Sequence, residues 1–144
     1  MKIYLDNCCF NRPFDDQVHY RIRLEAEAKL YIQDLLRQGK LALVWSYMLD
    51  FENAANPFTE RKEAVGAWRN VACQDIDESN KVIELAQEYS ECGIKAGDSL
   101  HLACAVVAGC EFFLTTDDEV LQKARDCKDI RVIDPATFIR EVDK

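Results

Sequence analysis

The hydrophobic positions of this chain form short apolar runs separated by longer stretches of helical spacing. The runs "KIYL", "LALVW", "EFFLT" and "IRVI", with the shorter "ACQDID", are typical of buried strands. Between the first two runs, apolar residues recur three and four positions apart and predict a helix from about Val18 to Gln38, which Gly39 would end. Strands separated by helices pair in parallel, so the pattern predicts an α/β fold with a central, mainly parallel sheet flanked by helices.

Six further helices and one loop complete the predicted elements. Ser46 is a good N-cap for the helix that follows "LALVW", and Asn56-Pro57 would end that helix. The stretch "NCCFNRPFDDQ" is predicted to be a turn-rich loop. The six helices cover "YMLDFENAAN", "TERKEAVGAWRNVA", "ESNKVIELAQEYSECG", "KAGDSLHLACAVVAGC", "DDEVLQKARD" and the residues after Pro135.

Length and composition predict one domain spanning residues 1–144. With 144 residues and 49% hydrophobic content, the chain can bury a single core. It has no apolar stretch near the ~20 residues that span a bilayer, and its N-terminus has no signal-peptide pattern. Seven cysteines without a C-x-x-C pair favour free thiols. We therefore expect a cytoplasmic protein with no membrane contact.

Four acidic residues occupy unusual positions, because each lies where apolar structure meets a possible crevice. Ligands of an open parallel sheet bind outside the carboxyl ends of the strands, so acids at such ends could meet over one site. Asp50 and Glu52 lie two apart on a helix and point to different sides, so they cannot readily share a site. Glu52 is favoured because Phe51 and the small residues Ala54 and Ala55 flank it. The four are Asp6, at the end of the first strand, Glu52, Asp98, at the start of an apolar helix, and Asp117, after "EFFLT".

Helix capping is the alternative reading for two of these acids. Asp98 beside Gly97 and Asp117 before the next helix are both good N-caps, and capping can coexist with metal binding. A net charge of −8 argues against holding nucleic acid mainly by phosphate neutralisation. Several buried carboxylates, however, are stable together only when a cation joins them, and Mg²⁺ or Mn²⁺ prefers such oxygen ligands. The acids thus indicate a metal-dependent hydrolase.

The order of the motifs resembles that of the PIN-domain ribonucleases, including the VapC-like toxins of toxin-antitoxin pairs. The similar stretches are "IYLDNC", "SYMLDFE", "KAGDSLHLACA", "FLTTDDEVL" and "VIDPATFI", which together span nearly the whole chain. The resemblance implies a single PIN-like α/β/α sandwich that binds Mg²⁺ or Mn²⁺ and cleaves single-stranded RNA. It also implies an antitoxin as a partner and a homodimer.

The resemblance implies specific roles for residues of this sequence. Asp6, Glu52, Asp98 and Asp117 would form the catalytic, metal-binding cluster, and Asp118 stays open as a substitute for its neighbour. Thr115 resembles a hydroxyl that orients an acid or a water, and Asn7 resembles a supporting residue. His101, three residues after Asp98, is predicted to be a packed core residue. Seven cations are candidates for a basic rim, although a helix that carries "TERKE" is more often a solvated face. The candidates are Arg12, Arg21, Arg23, Arg61, Lys62, Arg69 and Lys95.

Two other functions remain open on the sequence. A PIN-like domain that no longer cleaves would serve as an RNA-binding or protein-binding module. A phosphatase of the haloacid-dehalogenase type would need a second Asp two residues after the first, where this chain has Cys8. The presence of all four acids favours the ribonuclease over both.

Overall fold

The computed structural model describes residues 1–142 and contains one sheet of five parallel strands. The strand order is β3-β2-β1-β4-β5, with Ile3 of β1 opposite Leu43 of β2 and Phe112 of β4. The predicted α/β fold with a parallel central sheet flanked by helices is confirmed. The strands are β1 (Lys2–Leu5), β2 (Ala42–Ser46), β3 (Gln74–Ile76), β4 (Phe112–Leu114) and β5 (Arg131–Ile133).

Eight α-helices and two 3₁₀ turns connect the strands of the described residues. The helices are α1 (Asn7–Asn11), α2 (Tyr20–Arg37), α3 (Tyr47–Ala54), α4 (Thr59–Gly66), α5 (Asn80–Glu91), α6 (Ala96–Val107), α7 (Asp118–Lys123) and α8 (Pro135–Val142). The 3₁₀ turns are Arg12–Phe14 and Ala67–Asn70. None of the described helices is long and apolar enough to cross a membrane.

The loop predicted over "NCCFNRPFDDQ" was wrong, because α1 and a 3₁₀ turn lie within it. Asp6 caps α1 by accepting a hydrogen bond from the Asn7 amide, and Cys9 and Phe10 are fully buried on its inner side. A helix this short is not stable from its own propensity, and it depends on packing with the rest of the protein. Its five residues are also too few to show a helical period along the chain.

Most predicted helix boundaries hold, and two require correction. Gly39 follows α2 with a φ of 73°, the left-handed conformation of a C-terminal glycine. Ser46 caps α3 by accepting a hydrogen bond from the Leu49 amide. The helix predicted over "TERKEAVGAWRNVA" ends at Gly66 and continues as a 3₁₀ turn. The predicted capping role of Asp98 is wrong, because α6 begins at Ala96 with Lys95 in the N-cap position.

The strand order places one crevice beside the first strand. From β1 the chain adds β2 and β3 on one side, and it then returns to add β4 and β5 on the other side. Ligand crevices of open α/β sheets lie where the order reverses in this way, outside the carboxyl ends of the strands. Here that point lies between β1 and β4, where the Asp6 amide donates to the Leu114 carbonyl at 2.9 Å.

Candidate active site

Asp6 lies at the end of β1 with a side chain that is only 6% exposed. Its Oδ2 accepts a hydrogen bond from Thr115 Oγ1 at 2.9 Å, and its Oδ1 accepts one from the Asn7 amide at 2.8 Å. Burial raises the pKa of Asp6, and nearby His101 and the Thr115 hydrogen bond oppose that rise only in part. The carboxylate is thus fixed in orientation, in surroundings that disfavour its charge.

Thr115 links the ends of β1 and β4. Besides donating to Asp6, its Oγ1 accepts a hydrogen bond from the Asp117 amide at 3.1 Å. Cys8 Sγ lies 3.5 Å from the same oxygen and 3.4 Å from the Thr116 amide nitrogen. The role that the resemblance implies for Thr115, orienting an acid or a water in the site, stays a prediction. Asn7 contributes its backbone amide to Asp6, whereas its side chain and carbonyl accept hydrogen bonds from Asn11.

Glu52 of α3 lies close to Asp6 and contacts the buried His101. His101 Nε2 lies 2.7 Å from Glu52 Oε1, and His101 Nδ1 lies 2.6 Å from the Tyr4 hydroxyl. Tyr4 in turn lies 2.6 Å from Ser46 Oγ. Asp50, by contrast, accepts a hydrogen bond from Trp45 Nε1 at 2.9 Å. The two acids of α3 therefore have different partners, as their spacing predicts.

His101 has polar partners that its apolar sequence neighbourhood does not predict. It is fully buried, as a packed core residue would be, but both ring nitrogens have polar partners. Burial disfavours the imidazolium form, yet the Glu52 hydrogen bond and the charges of Asp6 and Glu52 outweigh it and raise the pKa of His101. The sequence feature that could have indicated its place in the site is its spacing, because a residue three positions after Asp98 lies on the same side of α6.

Asp98 lies half-buried in the first turn of α6. Burial raises its pKa to about 6, and repulsion from Asp6 and Asp117 contributes further. Because charge repulsion of this kind acts over short distances, Asp98 belongs to the same electrostatic group as the acids at the ends of β1 and β4.

Asp117 and Asp118 are adjacent in sequence but have different surroundings. Asp117 caps α7, with Oδ1 accepting hydrogen bonds from the amides of Glu119 and Val120. Asp118 is 74% exposed and pairs with Arg21 at 2.6 Å. Of the two, Asp117 is the one that repels Asp98. This geometry favours Asp117 as the fourth acid of the proposed cluster.

Three side chains could approach one metal ion together in the described part of the chain. Ligand atoms of Asp6, Glu52 and His101 all lie within 4.8 Å of one another, whereas Asp98 and Asp117 lie outside that close group. His101 would be a poor ligand here, since both of its nitrogens are already engaged. Carboxylate oxygens are the ligands that Mg²⁺ and Mn²⁺ prefer, so the acids fit a hard divalent cation and His101 fits an orienting role.

The predicted basic rim is largely neutralised by neighbouring acids. Most of its cations form ion pairs. The pKa of Lys95 is raised mainly by Glu119 and to a smaller extent by the nearby charges of Asp117 and Asp98. The pairs are Arg12 with Asp15 and Glu25, Arg21 with Asp118 and Glu25, Arg61 with Asp15, Arg69 with Asp75, and Lys95 with Glu119.

A search of solved structures finds a similar fold in the crystal structure of VapBC2 from Rickettsia felis, which is bound to a DNA fragment from the VapBC2 promoter. The TM-score is 0.56 at 13% sequence identity, and the alignment covers 92% of this chain and 97% of that chain. The likeness is one of fold. No family model matches the chain, and a search of curated proteins finds no match.

Proposed function

We propose that this protein is a metal-dependent endoribonuclease that cleaves phosphodiester bonds of single-stranded RNA, as the toxin of a toxin-antitoxin pair. The observation that supports the proposal is the grouping of Asp6 and Glu52, with ligand oxygens within 4.8 Å of each other, together with Asp98, whose pKa is raised by burial and by the charges of Asp6, Asp117 and Glu52. Each comes from a different element, and burial and mutual repulsion raise the pKa of two of them. A group of acids in which two have raised pKa values, and in which Glu52 alone is paired with a histidine, is typical of a catalytic site.

The four carboxylates would hold Mg²⁺ or Mn²⁺. When bound, such an ion supplies an activated water and stabilises the charge that develops on the phosphate. The chain's own contribution is orientation: Thr115 and the Asn7 amide fix the two oxygens of Asp6, and His101 fixes Glu52. Partners of this kind keep metal ligands in one geometry and increase metal affinity.

The charge distribution is consistent with an RNA substrate that is bound mainly through the metal. The acidic chain repels phosphate over most of its surface, and a divalent ion reverses the sign at the site alone. Lys95, at the start of α6, offers a cation beside Asp98 and Asp117. Binding would therefore depend strongly on the metal.

The decisive test is RNA cleavage by paired variants. Asp6→Asn and Asp98→Asn should abolish hydrolysis of mixed-sequence single-stranded RNA in Mn²⁺, with an unchanged circular dichroism spectrum. Asp118→Asn is the matched control, because it makes the same charge change on an exposed carboxylate paired with Arg21. Full activity in both site variants would refute the proposal.

The second candidate is a domain of the same fold that binds RNA or protein without cleaving. One observation favours it: Glu52 is already engaged by His101, so the site neutralises part of its own charge. Mn²⁺ titration separates the two functions. Binding to the wild type that Asp98→Asn removes would support the nuclease, and the absence of binding in a folded sample would support the interaction module.

An antitoxin partner and a homodimer belong to the same proposal. The similar solved structure is of a VapBC2 complex, which supports an antitoxin for this chain without identifying it. Expression of the wild type alone should arrest cell growth, and co-expression with a neighbouring gene's product should restore it. Light scattering of the purified chain would measure the oligomeric state. Normal growth on expression of active enzyme would contradict the toxin assignment.

A further inference from the structure

A second cavity, of about 450 Å³, opens between α1, α2, α4 and the two 3₁₀ turns. Its volume is within the range of small-molecule sites. Its walls are mostly apolar and include the rings of Phe10, Phe14 and Trp68. None of the four acids of the proposed active site lines it, and the polar residues that do are Lys29, Gln33 and Arg37. The described walls thus contain two cations and no acid.

Lys29 is buried in this cavity without a counter-ion. Lys29 is only 3% exposed, and its Nζ donates one hydrogen bond, to Gln33 Oε1 at 2.7 Å. The ammonium also lies 5.3 Å from the centre of the Phe10 ring and 4.9 Å from that of Trp68. No ion pair is present for Lys29 within residues 1–142. A protonated amine in this position has donors to spare.

The acid one helical turn before Lys29 does not compensate its charge. Glu25 is the natural partner by spacing, but its carboxylate pairs with Arg12 at 3.1 Å and with Arg21 at 3.5 Å. Glu25 is itself buried, so those two arginines satisfy it. Lys29 is therefore left as an isolated cation, which is a costly arrangement for a group in apolar surroundings.

A second cation increases the need for an anion. The Arg37 guanidinium lies 5.3 Å from the centre of the same Trp68 ring, and its acidic neighbour is the exposed Asp34 at 3.6 Å. Burial lowers the pKa of Lys29 to about 7; the neighbouring Cys9 thiol opposes that shift and Arg37 adds to it. An anion between the two would be attracted by both, while the ring walls would accept an apolar group.

We propose that this cavity binds a small carboxylate with an apolar body, whose carboxylate pairs with Lys29 while its body packs against Phe10 and Trp68. A purely structural role would be better filled by Met or Leu at position 29, because neither carries a charge into the core. The single buried amine suits one carboxylate, and the size of the cavity suits a compact ligand rather than a folded segment. This inference does not rest on the proposed nuclease function.

Naphthoate is a suitable probe, with uncharged naphthamide as the matched ligand. The readout is the pair of indole N–H signals in a nitrogen-proton NMR spectrum. Trp68 lines the cavity and its signal should shift on titration, whereas Trp45, which is fully buried and contacts the cavity only through Phe10, should shift much less. Lys29→Met should weaken naphthoate at least tenfold and leave naphthamide unchanged. Lys81→Met, which removes an exposed lysine, should change neither.

The pH dependence provides an independent test. Carboxylate binding needs the protonated amine, so naphthoate affinity should fall by about tenfold per pH unit above about pH 7 in the wild type, and not in Lys29→Met. Equal affinity of the wild type and Lys29→Met for naphthoate would overturn the proposal. So would binding of naphthoate and naphthamide with equal strength, which would show that the cavity accepts the apolar body without recognising the carboxylate. No shift of Trp68 with naphthoate or with decanoate would overturn it as well.

Discussion

Replacing Lys29 with Met should stabilise the protein at neutral and acidic pH. The pKa of Lys29 falls from 10.5 to about 7 in the folded state. One pKa unit corresponds to about 1.4 kcal/mol, so the charged form is destabilised by about 5 kcal/mol relative to an exposed lysine. Between about pH 7 and pH 10.5 the unfolded chain binds more protons than the folded one, so the free energy of unfolding of the wild type rises with pH across that window. Below about pH 7 both states are protonated and the penalty is complete.

Urea unfolding of the wild type and Lys29→Met at about pH 6 and about pH 9 would measure this penalty. The difference in unfolding free energy between the two proteins should change by about 2–3 kcal/mol between these pH values, in the direction that favours the wild type at the higher pH. Because all other titrating groups are common to both proteins, their contributions cancel. The samples need a reductant, since all seven cysteines are free. A difference that stays constant with pH would refute a buried lysine without a counter-ion.

Three substitutions test how the proposed metal site is held together. Thr115→Val removes the hydrogen bond to Asp6 and should weaken Mn²⁺ binding by about 10- to 150-fold, since a bond to a charged group contributes about 1.5–3 kcal/mol, whereas Thr115→Ser should retain affinity. His101→Phe releases Glu52 and should reduce Mn²⁺ affinity by about 10–100-fold, as measured by electron paramagnetic resonance; unaltered affinity would show that His101 only fills the core. Asp117→Asn should abolish RNA cleavage but keep the helix cap, because Asn caps as well as Asp; retained cleavage would exclude Asp117 from the cluster.

The sheet and the positions of the acids could be predicted because both depend on local sequence. A buried strand is a short apolar run, and the residue after it lies at the edge of the sheet wherever the strand is placed. Asp6 and Asp117 were identified on that ground alone. Their grouping also follows from general topology, since parallel strands direct their carboxyl ends to one edge. Whether they bind metal remains a prediction.

The partners of buried side chains could not be predicted, because they depend on residues distant in sequence. His101 has an apolar neighbourhood along the chain, and only the folded sheet brings Tyr4 and Glu52 to its two nitrogens. Lys29 was missed for a related reason. The helix α1, which the sequence pattern did not predict, supplies Phe10 to cover it. Because α1 was predicted to be a loop, the second cavity, which Phe10 of α1 lines, could not be predicted either.

Buried charge connects the two candidate sites. Asp6 and Lys29 are both nearly inaccessible to solvent. Burial raises the pKa of Asp6 and lowers that of Lys29, so in each case it favours the neutral form. Each would be less costly as an apolar residue, and neither forms an ion pair with the other. Asp6 also caps α1, but in both places the proposed ligand would offset the cost of the buried charge: a divalent cation at the carboxylates and a carboxylate at the amine. Because binding of either ligand would offset a folding penalty, each should raise the unfolding temperature of the wild type. The two increases should be additive if the sites are independent, and an excess over the sum would reveal coupling through α1, which begins at Asp6 and carries Phe10.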